Sequence, residues 1–142
     1  MNNQPIKTTE DGITEYRLNG ELHREDGPAV DNGYGCEMWY LHGELHREDG
    51  PAQTMDDGDF WHLHGHFHRE DGPAIEYVSG HKEWYLNGVH HREDGPAYES
   101  ADGYKEWCLN GEEVNPETIV DLWLAKNIYC FYNAETDSLE FD

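Results

Sequence analysis

The string His-Arg-Glu-Asp-Gly-Pro-Ala occurs four times in 142 residues, starting at His23, His46, His68 and His91, in steps of 23, 22 and 23. A fixed period of this length marks a repeat architecture, in which each unit is one supersecondary element and stability comes from stacking neighbours. An aromatic segment ending in Gly precedes each string: Tyr16-Arg17-Leu18-Asn19-Gly20, Trp39-Tyr40-Leu41-His42-Gly43, Trp61-His62-Leu63-His64-Gly65 and Trp84-Tyr85-Leu86-Asn87-Gly88. A fifth, Trp107-Cys108-Leu109-Asn110-Gly111, has no such string after it. Gly12, Gly35, Gly80 and Gly103 stand four residues before the aromatic, but Gly58 stands three before Trp61, which accounts for the shorter step.

The unit reads as two short strands. In Glu83-Trp84-Tyr85-Leu86 the two-residue period sends Trp84 and Leu86 to one face and Glu83 and Tyr85 to the other. Asn87-Gly88 supplies the positive φ of a tight hairpin, as do Asn19-Gly20 and Asn110-Gly111, with His42 and His64 replacing Asn elsewhere. The second strand starts near Pro96-Ala97-Tyr98-Glu99, since Pro suits a strand start rather than a ladder centre. The expected fold is mainly β: an antiparallel hairpin array of nine or ten strands, a single domain over 1–142, with repeats over 11–111. The four Trp are expected to be its core, because nothing else in the chain is large enough.

Residues 1–10 read as poorly ordered and 115–142 as a helix-plus-strand cap. Asn115 is a good N-cap, Pro116 suits the first helical position, and Glu117 favours the helix dipole. The helix is expected from Pro116 to Lys126 or Asn127, with Ile119, Leu122 and Trp123 on one face. Ile128–Tyr132 then reads as a strand, Asn133–Asp137 as a turn, and Ser138–Phe141 as a last strand.

Composition narrows the function classes. Thirty-one acids against nine Lys and Arg give a formal charge of −22, which repels nucleic acid and anionic membranes. Aromatics at 13 % exclude a disordered acidic tail. Three cysteines without Cys-x-x-Cys, and an N-terminal stretch without the blocks of a signal peptide, lead to the expectation of a reduced, cytoplasmic protein. No Gly-rich phosphate loop or Gly-x-Ser-x-Gly occurs, and the paired carboxylates recur in every unit, whereas an active site needs one asymmetric constellation. No enzyme and no cofactor are expected. His62, His64, His66 and His68 alternate, but the turn at His64-Gly65 divides them, so no metal site is expected either.

The unit Trp-Tyr-Leu-Asn-Gly-x-x-His-Arg-Glu-Asp-Gly-Pro-Ala resembles the MORN-type hairpin repeats, closest to a His-Arg-x-Asp-Gly-Pro-Ala variant found in phage, bacterial and giant-virus proteins. The resemblance implies a binding or scaffolding surface. In that frame Arg24, Arg47, Arg69 and Arg92 are expected to neutralise neighbouring acids, and His to hydrogen-bond the loop backbone. The candidate partner-binding residues are Glu25, Asp26, Glu48, Asp49, Glu70, Asp71, Glu93, Asp94, Glu112 and Glu113. Ten strands span roughly 48 Å, so the net charge falls about every 2.2 Å, near the 1.7 Å of duplex DNA. The expected function is therefore non-catalytic: a phage-type inhibitor that blocks a basic nucleic-acid-binding or host-defence protein by DNA mimicry. Two other classes stay open, a carbohydrate or cell-wall module using the aromatic ladder and a scaffold self-associating through sheet edges.

Overall fold

The computed structural model describes residues 3–137. Its strands in chain order are β1 (Ile6–Glu10), β2 (Ile13–Leu18), β3 (Glu21–Leu22), β4 (Val30–Asp31), β5 (Glu37–Met38), β6 (Tyr40–Leu41), β7 (Glu44–Leu45), β8 (Gln53–Met55), β9 (Gly58–Phe60) and β10 (His62–Leu63). There follow β11 (His66–Phe67), β12 (Ile75–Tyr77), β13 (Lys82–Glu83), β14 (Tyr85–Leu86), β15 (Val89–His90), β16 (Tyr98–Glu99), β17 (Lys105–Glu106), β18 (Cys108–Leu109), β19 (Glu112–Glu113) and the helix α1 (Pro116–Asp137). The chain is mainly β with one C-terminal helix, as its repeats require.

Each repeat contributes to two rows of strands. An antiparallel meander joins β1, β2, β4, β5, β8, β9, β12, β13, β16 and β17 in that order, with β3 on β2. The second row consists of small hairpins: β6–β7, β10–β11, β14–β15 and β18–β19. The expected strand Glu83–Leu86 is thus two strands, broken at Trp84. The break follows from the hydrogen bonds of the Trp backbone. Trp84 N–H donates to Ala97 O across the meander, while its C=O accepts from His91 N–H in the hairpin row. Trp39 and Trp61 are held the same way, by Ala52 and His46 and by Ala74 and His68. One residue serving both rows turns the chain from one into the other.

The hairpin turns form as the sequence dictates. His42, His64, Asn87 and Asn110 take φ of 47°, 49°, 50° and 51°, each followed by a Gly at positive φ. In the third unit the missing residue lets β8 and β9 pair down to Met55 and Gly58. Gly58 is required there, because a Cβ would sit 2.6 Å from Glu76 O on the adjacent β12.

The core differs from the sequence expectation. Trp39, Trp61, Trp84 and Trp107 are half-buried, and the fully buried residues are Ala29, Ala52, Ala74 and Ala97, the last residue of each string. Trp39, Trp61 and Trp84 pack instead against the guanidiniums of Arg47, Arg69 and Arg92, 4.0, 3.9 and 3.9 Å away, a charged contact that a wholly apolar interior would not supply. Residues 6–10, read as poorly ordered, form β1, paired with β2 from Ile6↔Arg17 to Glu10↔Ile13 through the Asp11-Gly12 turn.

At the other end Asn115 caps α1 as expected, its Oδ1 accepting Glu117 N–H at 3.0 Å. The helix continues through Ile128–Tyr132 and Asn133–Asp137, where a strand and a turn were expected. A short apolar run does not distinguish strand from helix, and no Gly or Pro follows Pro116 to stop the helix. The expected strand Ser138–Phe141 lies outside the described residues. Of the proposed apolar helix face only Ile119 is buried, while Trp123 is 52 % exposed. No helix among the described residues is long and apolar enough to cross a membrane.

Candidate partner-binding surface

Most residues of the recurring string have an assignable task, and the tasks repeat from unit to unit. The His links one hairpin to the next. Nδ1 of His23, His46, His68 and His91 accepts the backbone N–H of His42, His64, Asn87 and Asn110, at 3.0 Å in every case. That acceptor satisfies the N–H of a residue already in the left-handed region. The Arg backbone adds a second link, with N–H of Arg24, Arg47, Arg69 and Arg92 donating to the carbonyls of Tyr40, His62, Tyr85 and Cys108.

The Arg side chain folds its own loop. Arg69 Nε donates to Asp71 Oδ1 at 2.9 Å, Nη1 donates to Pro73 O at 3.2 Å, and the guanidinium lies 3.9 Å over the Trp61 ring. Arg24, Arg47 and Arg92 repeat this over Tyr16, Trp39 and Trp84. The planar fork makes both directed bonds while its flat face meets the ring, which a Lys ammonium does not do. Gly follows from the same packing, since a Cβ on Gly72 would lie 2.8 Å from Arg69 Cζ. The sequence reading is met in part: Arg neutralises the Asp of its string but not the Glu, and His bonds backbone at the hairpin turn of the next unit rather than in its own loop.

The ten candidate acids therefore separate into three groups. Asp26, Asp49, Asp71 and Asp94 belong to the loop structure, held by their Arg. The hydrogen bond from Arg47 keeps the Asp49 carboxyl below its ordinary range, and Arg69 does the same for Asp71. Glu25, Glu48 and Glu70 face solvent with side chains 84–85 % exposed, each with a His Nε2 at 3.8 Å. Glu93, the fourth of that row, is met by Lys126 from α1. Glu112 and Glu113 lie on β19 in the hairpin row, apart from the four loops.

Grooves open between consecutive loops. One of about 620 Å³ has Trp84 and Leu86 in its lining, with Glu70 and Asp71 from one loop and Glu93 and Asp94 from the next. Its counterpart one repeat earlier, about 700 Å³, is lined by Trp61, Leu63, Glu48, Asp49, Glu70 and Asp71. Beside the first loop Asn3–Pro5 supply the wall that a preceding loop would form. Beyond the fourth, Ile119, Val120 and Trp123 of α1 stand against Asp94.

A second constellation escaped the sequence reading. The Glu83 carboxylate lies 2.7 Å from Nε2 of both His81 and His90 and accepts the Tyr85 hydroxyl at 2.9 Å. Burial raises its pKa, but the three hydrogen bonds more than offset this and leave it below the ordinary value. Burial and the adjacent Glu83 push the Tyr85 phenol up. The available signal was departure from the repeat, since no other unit carries His at the positions of both His81 and His90. Among the described residues no group of three or more His, Cys, Asp and Glu is arranged to hold a metal ion.

His62 stands where Tyr40, Tyr85 and Cys108 stand in other units. It is buried, with its ring 4.2 Å from Phe67 and Nδ1 unpartnered. Burial holds its pKa below the ordinary 6.5. The unfolded chain thus takes up the proton first, and stability contributed here is lost as pH falls below about 6.5. The melting temperature, followed by circular dichroism between about pH 7.5 and 5.5, should fall less in His62→Tyr than in the parent. Parallel curves would remove His62 from the acid response.

No protein-family model, curated protein or solved structure matches this chain.

Proposed function

We propose that the chain is a non-catalytic, MORN-like binding module that engages a basic protein partner through the loop row. In its sharper form it is a phage-type inhibitor, occupying the surface with which a nucleic-acid-binding or host-defence protein holds nucleic acid. The observation that carries this reading is the division of labour within each loop. The Asp is committed to Arg, while Glu25, Glu48 and Glu70 recur once per repeat, nearly fully exposed and, among the described residues, without a Lys or Arg partner. The Arg–Asp pair closes each loop, while the outward Glu, beside a His Nε2 at 3.8 Å, leaves most of its carboxylate open to a partner. The formal charge of −22 adds a long-range field that speeds encounter with a cationic surface.

The carbohydrate reading has less support, because a guanidinium already covers one face of Trp39, Trp61 and Trp84, where a sugar would stack.

The test is competition. A nucleic-acid-binding partner recovered by affinity capture is loaded with labelled duplex DNA, and the chain is titrated in. Stoichiometric release of DNA, weakening steeply with added salt, is the expected result. A stable ternary complex, or binding indifferent to ionic strength, would overturn the mimicry.

A further inference from the structure

We infer that the grooves between successive loops are lysine sockets, and that the partner presents lysines at every third residue of a polyproline-II segment, Lys-x-x-Lys. This rests on the basic-partner reading above and names what that partner offers.

The groove chemistry suits a lysine side chain in both of its halves. In the groove between the second and third loops, Trp61 and Leu63 give the four-carbon stem apolar surface, and the carboxylates of Glu48 and Glu70 on the two flanking loops receive the ammonium. Four carboxylates and two guanidiniums line this groove, a net −2. The chain supplies its own example. Lys126, 33 residues away on α1, places Nζ on the Glu93 carboxylate at the end of the row. There the helix stands in for a following repeat, and a lysine meets the outward Glu.

Spacing selects the conformation of the partner. Equivalent grooves are separated by two strands, about 9.6 Å. A polyproline-II helix rises about 9.3 Å in three residues and returns to the same side, so every third side chain faces one way. A β-strand covers about 10 Å in three residues but turns the third side chain to the opposite face. An α-helix returns to one face after seven residues and about 10.5 Å, overshooting the groove spacing by about 0.9 Å at each step.

The probes are fluorescein-labelled synthetic peptides of equal length and charge, with lysines at every second, third or seventh residue, read by fluorescence anisotropy against the full chain at low salt. The every-third peptide, with Pro among its spacers, is expected to bind about tenfold tighter than the other two. Glu70→Gln should remove that advantage, while Glu37→Gln on β5 of the meander should keep it. Equal, salt-sensitive affinity for all three peptides would overturn the spacing and leave the acidic-surface reading standing. No binding by any peptide would overturn both. Lys126→Gln is expected to strengthen binding of a peptide extended by one more Lys-x-x unit; no gain would show that Lys126 does not occupy an equivalent socket.

Discussion

Arg69→Ala is expected to lower the unfolding free energy by about 2–5 kcal/mol, the sum of a partly desolvated cation–π contact of about 0.5–2 and a charged hydrogen bond to a carbonyl of about 1.5–3. The side chain is positioned for both, 3.9 Å above the Trp61 ring and 3.2 Å from Pro73 O, with its own surface mostly covered. Losing it also leaves the Asp71 carboxylate without its donor and Gly72 without the group it makes room for. Arg69→Lys should recover little, because an ammonium cannot make both directed bonds while lying flat on the indole. Urea unfolding followed by circular dichroism gives the comparison. A midpoint unchanged in Arg69→Ala would show that the loop is held by its backbone bonds alone, and the task assigned to the recurring Arg would fall.

The second large effect concerns the outward carboxylates. The triple variant Glu25→Gln, Glu48→Gln, Glu70→Gln should keep the parent melting temperature, since these side chains have no Arg or Lys partner among the described residues and stand in water. Its affinity for a basic partner should fall roughly tenfold to hundredfold at low salt, three lost surface pairs at about 0.2–1 kcal/mol each plus a weaker field. The gap between variant and parent should close as salt is raised, because exposed charges are screened within about 10 Å at 0.1 M. The contrast with Arg69→Ala separates holding the loop from presenting it. Isothermal titration at two salt concentrations measures both. Equal affinities for parent and variant at low salt would place the interface elsewhere.

Much of the architecture was legible because the repeat states it four times. The hairpin turns, the unit boundaries and the N-cap at Asn115 follow from residues with few conformational alternatives. The double row was not legible. Period-two alternation runs straight through Glu83-Trp84-Tyr85-Leu86, and nothing in those letters says that Trp84 bonds to one row through its N–H and to the other through its C=O. The indoles were assigned to the core by size, yet full burial goes to Ala52 and Ala74, while Trp39 and Trp61 lie under the guanidiniums of Arg47 and Arg69. The extension of α1 was hidden for a different reason, since Ile128–Tyr132 suits either conformation. In the loops the types were readable but not the partners. Glu70 and Asp71 stand side by side in the sequence with the same charge, and only the reach of Arg69 tells them apart.

The joint between units is the same at every step: a ring nitrogen of one unit accepts the turn N–H of the next, and the N–H of the following Arg donates to a carbonyl there. Nothing in that joint counts how many units come before or after it. A lineage carrying this protein can therefore gain or lose a whole module by unequal recombination without re-solving the fold. Each such event changes the reach of the molecule by about 9.6 Å and adds or removes one outward acid. Length here behaves as a ruler, adjustable in whole divisions.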